Sequence, residues 1–252
     1  MFNLVKYELR ATILTILGIC TTVIIANLLL MTKKGSWDTT GIVGLSMFLA
    51  VGAIIVIFIS SMKIMSKYLH EDSGYLLFTL PQSGISIITS RLITALIQIS
   101  IVSLVSFSMF YLNLPDEILS YFKDLQLGVI VYNIFSSTWA TLYFLMLIYF
   151  CMVIGKVALK GKKLGKIGSF IIFIIISLGI SWLSLKLTTL FPQTINLGGS
   201  AIANNFGASN SGFSLSVTAP IINIASAIFD IIIFVGFFIT TSYLIDNKLD
   251  LS

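Results

Sequence analysis

A carboxylate and two small polar side chains share one face of an apolar run near the end of the chain. Asn223, Ser226 and Asp230 follow i, i+3, i+7 spacing, which places them on one side of a helix. Asp230 lies about ten residues into the run, or ~15 Å along a helix, where a charge costs about 2.5–3.5 kcal/mol if the helix crosses a bilayer. The carboxylate is therefore expected to face the interior of a helix bundle, where it could bind part of a substrate or relay an ion or proton.

A second polar stripe lies in the preceding apolar run. Ser177, Ser181 and Ser184 recur at helical spacing. Together with the three residues above, they are candidates for lining a path through the protein. The alternative is structural, because small and polar residues also let membrane helices approach closely and form hydrogen bonds with each other.

Residue patterns for catalysis and metal binding are missing from the sequence. It has no GxxxxGK[ST] phosphate loop and no HExxH motif, and His70 is its only histidine. Cys20 and Cys151 lie in separate apolar runs without CxxC spacing, which argues against a disulfide framework or a metal site. We therefore predict no catalytic residue, no metal site and no bound cofactor in this chain, which is not expected to be an enzyme.

The elements that carry these residues are long apolar runs. Of the 252 residues, 57% are apolar and only 10% are charged, whereas about 25% are charged in an ordinary soluble domain. Crossing the hydrocarbon of a bilayer takes about 20 helical residues. Six runs meet this test and predict an all-α integral membrane protein, folded as a single transmembrane domain over 1–252, with spans at about 11–31, 41–64, 92–112, 127–154, 168–190 and 220–245.

The basic residues indicate how these spans are oriented. With the N-terminus in the cytoplasm, 11 of the 15 Lys and Arg residues fall in or beside cytoplasmic segments. The positive-inside rule then predicts a multi-pass plasma-membrane protein with both termini in the cytoplasm. The net charge of +5 is assigned to this topology and to contact with membrane lipid, and no nucleic-acid partner is expected.

The first residues of the chain have an amphipathic pattern. Phe2, Val5 and Leu9 share one helical face, while Lys6 and Arg10 are polar. This pattern predicts a separate interfacial helix over residues 1–10, ahead of the first span. The apolar run that follows is longer than the core of a signal peptide, so it is expected to be retained as a span.

The cytoplasmic connection between the second and third spans, residues 67–91, is the most informative segment. A short helix there is expected to end before Pro81, and Ser83 or Ser86 can cap the helix that leads into the third span. The short helix holds an apolar cluster that cannot cross a membrane, formed by Tyr75, Leu76, Leu77, Phe78 and Leu80. An exposed apolar patch at this face favours a bound partner, and the alternative is a helix–turn–helix connection without one.

The same stretch carries a resemblance to a known family. Residues 71–83 (EDSGYLLFTLPQS) contain Glu-x-x-Gly followed by Leu-Phe-Thr-Leu-Pro-x-Ser. This motif, together with the layout of the chain, resembles the ABC type-2 exporter permeases, in which the loop forms a coupling helix that docks on a separate ATPase subunit. The resemblance implies that the ATPase-coupling residues here are Glu71, Gly74, Tyr75, Leu76, Leu77, Phe78, Leu80 and Pro81.

The resemblance also implies a function and partners. The chain would be the permease subunit of an ATP-driven exporter, moving a hydrophobic or amphipathic substrate, such as an antimicrobial or toxin peptide, out of the cytoplasm. Its expected partners are an ABC ATPase subunit, which holds ATP and Mg²⁺, and a second permease chain, identical or related. Residues 191–219 would form short re-entrant helices, although their Gly, Ser and Asn content also fits a mobile loop. The alternative function is secondary transport, with Asp230 as an ion or proton relay.

Overall fold

The computed structural model describes residues 2–34, 36–70, 83–115, 127–158, 165–196 and 221–247. Within these ranges the protein is helical apart from two short strands. The helices are α1 (Phe2–Met31), α2 (Thr39–His70), α3 (Gly84–Asn113), α4 (Leu127–Ala158), α5 (Gly165–Leu190) and α6 (Ile224–Asn247). The strands β1 (Thr194–Asn196) and β2 (Ile221–Asn223) lie between α5 and α6 and pair antiparallel, with Thr194 opposite Asn223.

In the described part of the chain, six helices contain a stretch long and apolar enough to cross a membrane. The stretches are Leu4–Met31, Thr39–Lys67, Gly84–Asn113, Leu127–Val157, Gly168–Leu190 and Ile224–Asn247. The prediction of a helical fold with six candidate spans is therefore confirmed. Six such helices suggest a multi-pass membrane protein.

Two helices extend beyond the second and third predicted spans, 41–64 and 92–112. Helix α2 continues to His70 and α3 already begins at Gly84. The predicted limits were set at charged residues. The helices continue past these residues because a helix can accommodate a charged side chain either exposed at its surface or buried beside a partner. Lys63 and Lys67 are exposed and can extend along the helix surface, whereas Arg91 is buried against another helix.

The structure differs from the prediction at the first residues of the chain and at the start of the last helix. Residues 2–31 form one continuous helix, so the structure does not show a separate interfacial helix over 1–10. The last span starts at Ile224 instead of residue 220 because residues 221–223 pair with β1. The coupling helix and most of the 191–219 segment lie outside the described residues.

Contacts between the helix ends show that neighbouring helices alternate in direction. Glu8 near the start of α1 pairs with Arg91 near the start of α3, and Arg91 also bonds to Ile64 near the end of α2. At the far end of the same three helices, Asn27, Ser46 and Asn113 are hydrogen-bonded to each other. We call the end of the bundle that holds Glu8, Leu69, Gly84, Lys156 and Asp246 the base.

The core is concentrated towards the base. Leu145, Met146, Tyr149 and Val153 in the second half of α4 are fully buried and pack with residues of α1, α2 and α3. The first half of α4 and most of α5 and α6 expose large apolar side chains, as do outer faces of α1 and α2. Such a surface suits hydrocarbon, where an apolar exterior carries no penalty.

Candidate functional site

The two ends of the connection between α2 and α3 are each bonded to a different helix. The backbone carbonyl of Leu69, one residue before the end of α2, accepts a hydrogen bond from the ammonium group of Lys156 in α4. The backbone N–H of Gly84, the first residue of α3, donates to Oδ1 of Asp246 in α6 at 2.6 Å. The connection therefore starts at a point tied to α4 and ends at a point tied to α6.

Gly84 allows the close approach that this second bond requires. A Cβ atom at this position would lie 2.7 Å from the backbone oxygen of Ser242, which is too close for any side chain without movement of the backbone. The carboxylate of Asp246 satisfies one of the N–H groups that a helix leaves free at its start and places negative charge at the positive end of the helix dipole. Ser83 does occupy the N-cap position, as predicted, but its side chain forms no capping hydrogen bond.

A buried ion pair lies about two helical turns deeper. Arg91 Nε is 3.0 Å from Glu8 Oε1, and the two side chains are 6% and 11% exposed. Arg91 Nη1 also donates to the carbonyl oxygen of Ile64 at 3.3 Å. The pair thus joins α1, α2 and α3, and removing one partner would leave a buried charge, which typically costs about 3–5 kcal/mol.

Neutral polar side chains extend this network away from the base. Gln98 Nε2 donates to Thr12 Oγ1 at 2.7 Å, and Ser61 Oγ donates to Gln98 Oε1 at 3.5 Å. The hydroxyl of Tyr149 donates to the carbonyl oxygen of Ser61 at 3.3 Å, which brings in α4. We call Glu8, Thr12, Ser61, Arg91, Gln98 and Tyr149 the base cluster. Polar side chains that bond to one another across helices in this way favour one arrangement of those helices.

The predicted coupling residues lie beside this site in the sequence, but outside the described residues. They are Glu71, Gly74, Tyr75, Leu76, Leu77, Phe78, Leu80 and Pro81. The structure describes the two hydrogen bonds on either side of them, between Leu69 and Lys156 and between Gly84 and Asp246. The role of these eight residues stays a prediction.

The stripe predicted on the last span is divided between two structural roles. Asn223 belongs to β2 and caps α6, since its Oδ1 accepts the N–H of Ser226 at 3.1 Å and its Nδ2 donates to the carbonyl oxygen of Phe191 at 2.8 Å. Ser226 Oγ lies 3.3 Å from Ser184 Oγ and links α6 to α5. These contacts favour the structural interpretation for Asn223, Ser226 and Ser184.

The remaining candidates lie on two helices. Ser177 donates to the carbonyl oxygen of Ile174 in its own helix, and Ser181 is exposed. Asp230 is partly buried and follows Ser226 by one turn on α6. The structure therefore brings Asn223, Ser226 and Ser184 into contact, but it does not bring all six predicted path residues together.

No known protein family, curated protein or solved structure matches the chain. Among the described residues, no group of three or more His, Cys, Asp and Glu side chains could hold a metal ion. The contacts at the base and the resemblance of residues 71–83 are therefore the features that point to a function.

Sequence reasoning missed most of the residues that form this site. Arg91 was counted as a loop residue, and Glu8, Gln98 and Asp246 were not singled out. A signal was present for Gln98, because a large amide inside a span needs a hydrogen-bond partner. Glu8 and Arg91 could also have been paired, since opposite charges at the same end of two spans are expected to meet.

Proposed function

We propose that this chain is the transmembrane permease subunit of an ATP-driven exporter of the ABC type-2 kind. Two permease chains, identical or related, would work with a separate ATPase that binds ATP and Mg²⁺. The complex would lie in the plasma membrane with the base and both termini in the cytoplasm. Its substrate would be hydrophobic or amphipathic, such as an antimicrobial or toxin peptide.

The observation that carries this proposal is the pair of bonds on either side of residues 71–82. A partner that moves this segment pulls on Leu69 and Gly84, and those residues are bonded to α4 and α6. A displacement at the surface of the base would thus reach α6, which carries the partly buried Asp230, and α4, which packs against α6. An ordinary helix–turn–helix connection does not need such ties.

The base cluster supports the same proposal because it joins three helices rigidly to one another. Glu8, Arg91 and Gln98 connect α1, α2 and α3, so these helices would respond to a push as one unit. Asn27, Ser46 and Asn113 hold the same three helices together at the opposite end. Coupling over such a distance needs elements that move without deforming.

The distribution of charge supports the proposed orientation. Lys6 and Arg10 on α1 and Lys63 and Lys67 on α2 are all exposed near the base. Basic residues at the ends of spans favour the cytoplasmic side and interact with anionic lipid headgroups. The base, with residues 71–82, would then be accessible to a cytoplasmic ATPase.

Co-purification with an ATPase encoded beside this chain tests the proposal. Replacing an apolar residue of the coupling segment with a charge, as in Leu77→Asp, is expected to abolish co-purification and the stimulation of ATP hydrolysis by the permease. Leu190→Asp is the matched control, because Leu190 is exposed at the opposite end of the bundle. If Leu77→Asp and the unsubstituted chain retain the ATPase equally well, the proposed docking site is wrong.

Secondary transport remains the second candidate because of Asp230. Among the described residues, no side chain forms a hydrogen bond or an ion pair with this carboxylate, although it lies within a candidate span. An ionisable residue inside a membrane span commonly marks an ion or proton pathway. Transport by the purified chain in liposomes without any ATPase would favour this function over the first.

A further inference from the structure

An apolar groove runs along the outside of the bundle between α3 and α6, with α4 as its floor. Its volume is about 380 Å³, and its lining includes Leu92 and Leu96 of α3, Leu142 of α4, and Phe234 and Phe238 of α6. The polar residue in the lining is Thr89, whose hydroxyl donates to a carbonyl of its own helix.

A different chemical environment begins at the end of this groove that points away from the base. Asp230 lies one helical turn beyond Phe234 on α6, and Trp139 lies about one turn beyond Leu142 on α4. The rings of Trp139 and Phe234 are in contact, with centroids 5.3 Å apart. The apolar groove therefore ends beside a carboxylate and an aromatic pair.

Tyr143 adds a third aromatic ring and an unused polar atom. It follows Trp139 by one turn of α4, which places the two rings on the same face of that helix. Its buried hydroxyl has no hydrogen-bond partner among the described residues. We call Trp139, Tyr143, Asp230 and Phe234 the acidic aromatic site.

We infer that the groove and the acidic aromatic site together bind a cationic amphipath, with the tail in the groove and the positive head beside Asp230. A cation in contact with aromatic faces and a partly buried carboxylate is stabilised by both, and more strongly where water is excluded. The inference rests on the proposed export function and narrows its substrate from any amphipathic molecule to a positively charged one.

The charge of the described surroundings supports a cation over an anion. The one ion pair among the described residues joins Glu8 and Arg91 at the base, so no Lys or Arg side chain of that part of the chain neutralises Asp230. Asp230 is also the seventh residue of α6, about 9 Å along the helix from its first residue. A head group at this level would lie closer to one membrane surface, with its tail directed towards the middle of the bilayer.

Tryptophan fluorescence can measure this binding on the full-length chain in lipid nanodiscs. The variant Trp37→Phe/Trp182→Phe leaves Trp139 as the single fluorophore, because the sequence has three tryptophans. The probes are a bromine-labelled alkyltrimethylammonium and an uncharged alkyl maltoside with the same chain and label, since bromine quenches tryptophan on contact. The concentration of cationic probe that quenches Trp139 by half is expected to be at least about tenfold lower than that of the neutral probe.

Charge variants then assign the preference to the proposed residue. Asp230→Asn is expected to remove the difference between the two probes, and Asp230→Glu to keep most of it. Asp38→Asn is the matched control, because it removes an exposed acid ahead of α2 and is expected to change neither affinity. Circular dichroism and size-exclusion chromatography establish that each variant is folded.

The inference would be overturned if the chain with Asp230 bound both probes with equal affinity. It would also be overturned if the preference for the cationic probe remained in Asp230→Asn. If that variant does not fold, the comparison of the two probes on the chain with Asp230 decides by itself. The measurement needs no ATPase, so its failure leaves the co-purification test intact. Conversely, a chain that binds the cation but never binds an ATPase would refute the proposed function alone.

Discussion

The carboxylate of Asp246, at the end of the last helix, accepts the backbone N–H of Gly84 at the start of the third. The two residues are 162 positions apart, and the contact lies where the 71–82 segment enters α3. This contact is not needed for α3 to form, since a serine at the N-cap position could supply the bond itself. Its value is that it ties the end of the segment to α6.

Removing the Asp246 carboxylate is expected to weaken this tie without unfolding the protein. Asp246→Ala loses one capping bond, which is worth about 1 kcal/mol. Under the proposed function, the variant still binds the ATPase, but substrate no longer stimulates ATP hydrolysis to the same extent. Asn247→Ala is the control, because the amide of Asn247 bonds to the carbonyl of Tyr243 in its own helix. Equal stimulation in both variants would remove Asp246 from the coupling path.

The close approach at Gly84 makes a second, steric prediction about the same contact. In Gly84→Ala the new methyl group meets the backbone oxygen of Ser242, so α3 and α6 must separate at the base. Overpacking of this kind typically costs about 1–3 kcal/mol. A disulfide between cysteines placed at Ser83 and Asp246 reports the separation, and it is expected to form more slowly in the Gly84→Ala background. An unchanged rate would contradict the close packing.

The ion pair between Glu8 and Arg91 predicts strong non-additivity. Glu8→Gln or Arg91→Met alone leaves one charge buried without its partner, at a cost of about 3–5 kcal/mol in the free energy of unfolding. The double variant removes both charges and is expected to be more stable than the sum of the single losses allows. Unfolding by SDS in mixed micelles measures the four proteins. Additive losses would show that the two side chains do not interact.

The three-residue contact at the opposite end predicts a difference between two asparagines. Asn113 is 2% exposed, and its amide donates to Asn27 Oδ1 at 2.9 Å, across to α1. Asn133 is exposed, and its amide bonds to the carbonyl of Val129 in its own helix. Asn113→Ala is expected to destabilise the protein by about 1–3 kcal/mol, and Asn133→Ala by less than about 0.5 kcal/mol. The same SDS titration compares them, and equal losses would refute the contact.

The six long apolar helices could be predicted because the hydropathy of a segment depends only on its own residues. The fifth span was predicted at 168–190, and the helix stretch long and apolar enough to cross a membrane there is Gly168–Leu190. Local reasoning failed where tertiary contacts decide the outcome. Arg91 ended a predicted span, although Glu8 from another helix allows it to be buried. Asn223 was placed on a helical face, although its pairing with Thr194 puts it in a strand.

The contacts of the candidate site were beyond prediction from one sequence for a related reason. Asp246 lies in a polar tail of the last span, where nothing in its neighbourhood indicates a bond to Gly84. Five lysines lie between residues 156 and 166, and only the folded arrangement shows that one of them, Lys156, bonds to the backbone of Leu69. The role of residues 71–82 is still a prediction that rests on the resemblance of their sequence to a known family.

The most direct test of the account is the labelling of a cysteine at position 77 in intact cells. Cys20 and Cys151 are buried, so a single Leu77→Cys substitution adds the accessible thiol. A membrane-impermeant maleimide is expected to label this cysteine only after the cells are opened, and labelling is expected to fall when the ATPase is co-expressed. Labelling from outside intact cells would place the 71–82 segment on the exterior and would contradict the proposed coupling to a cytoplasmic ATPase.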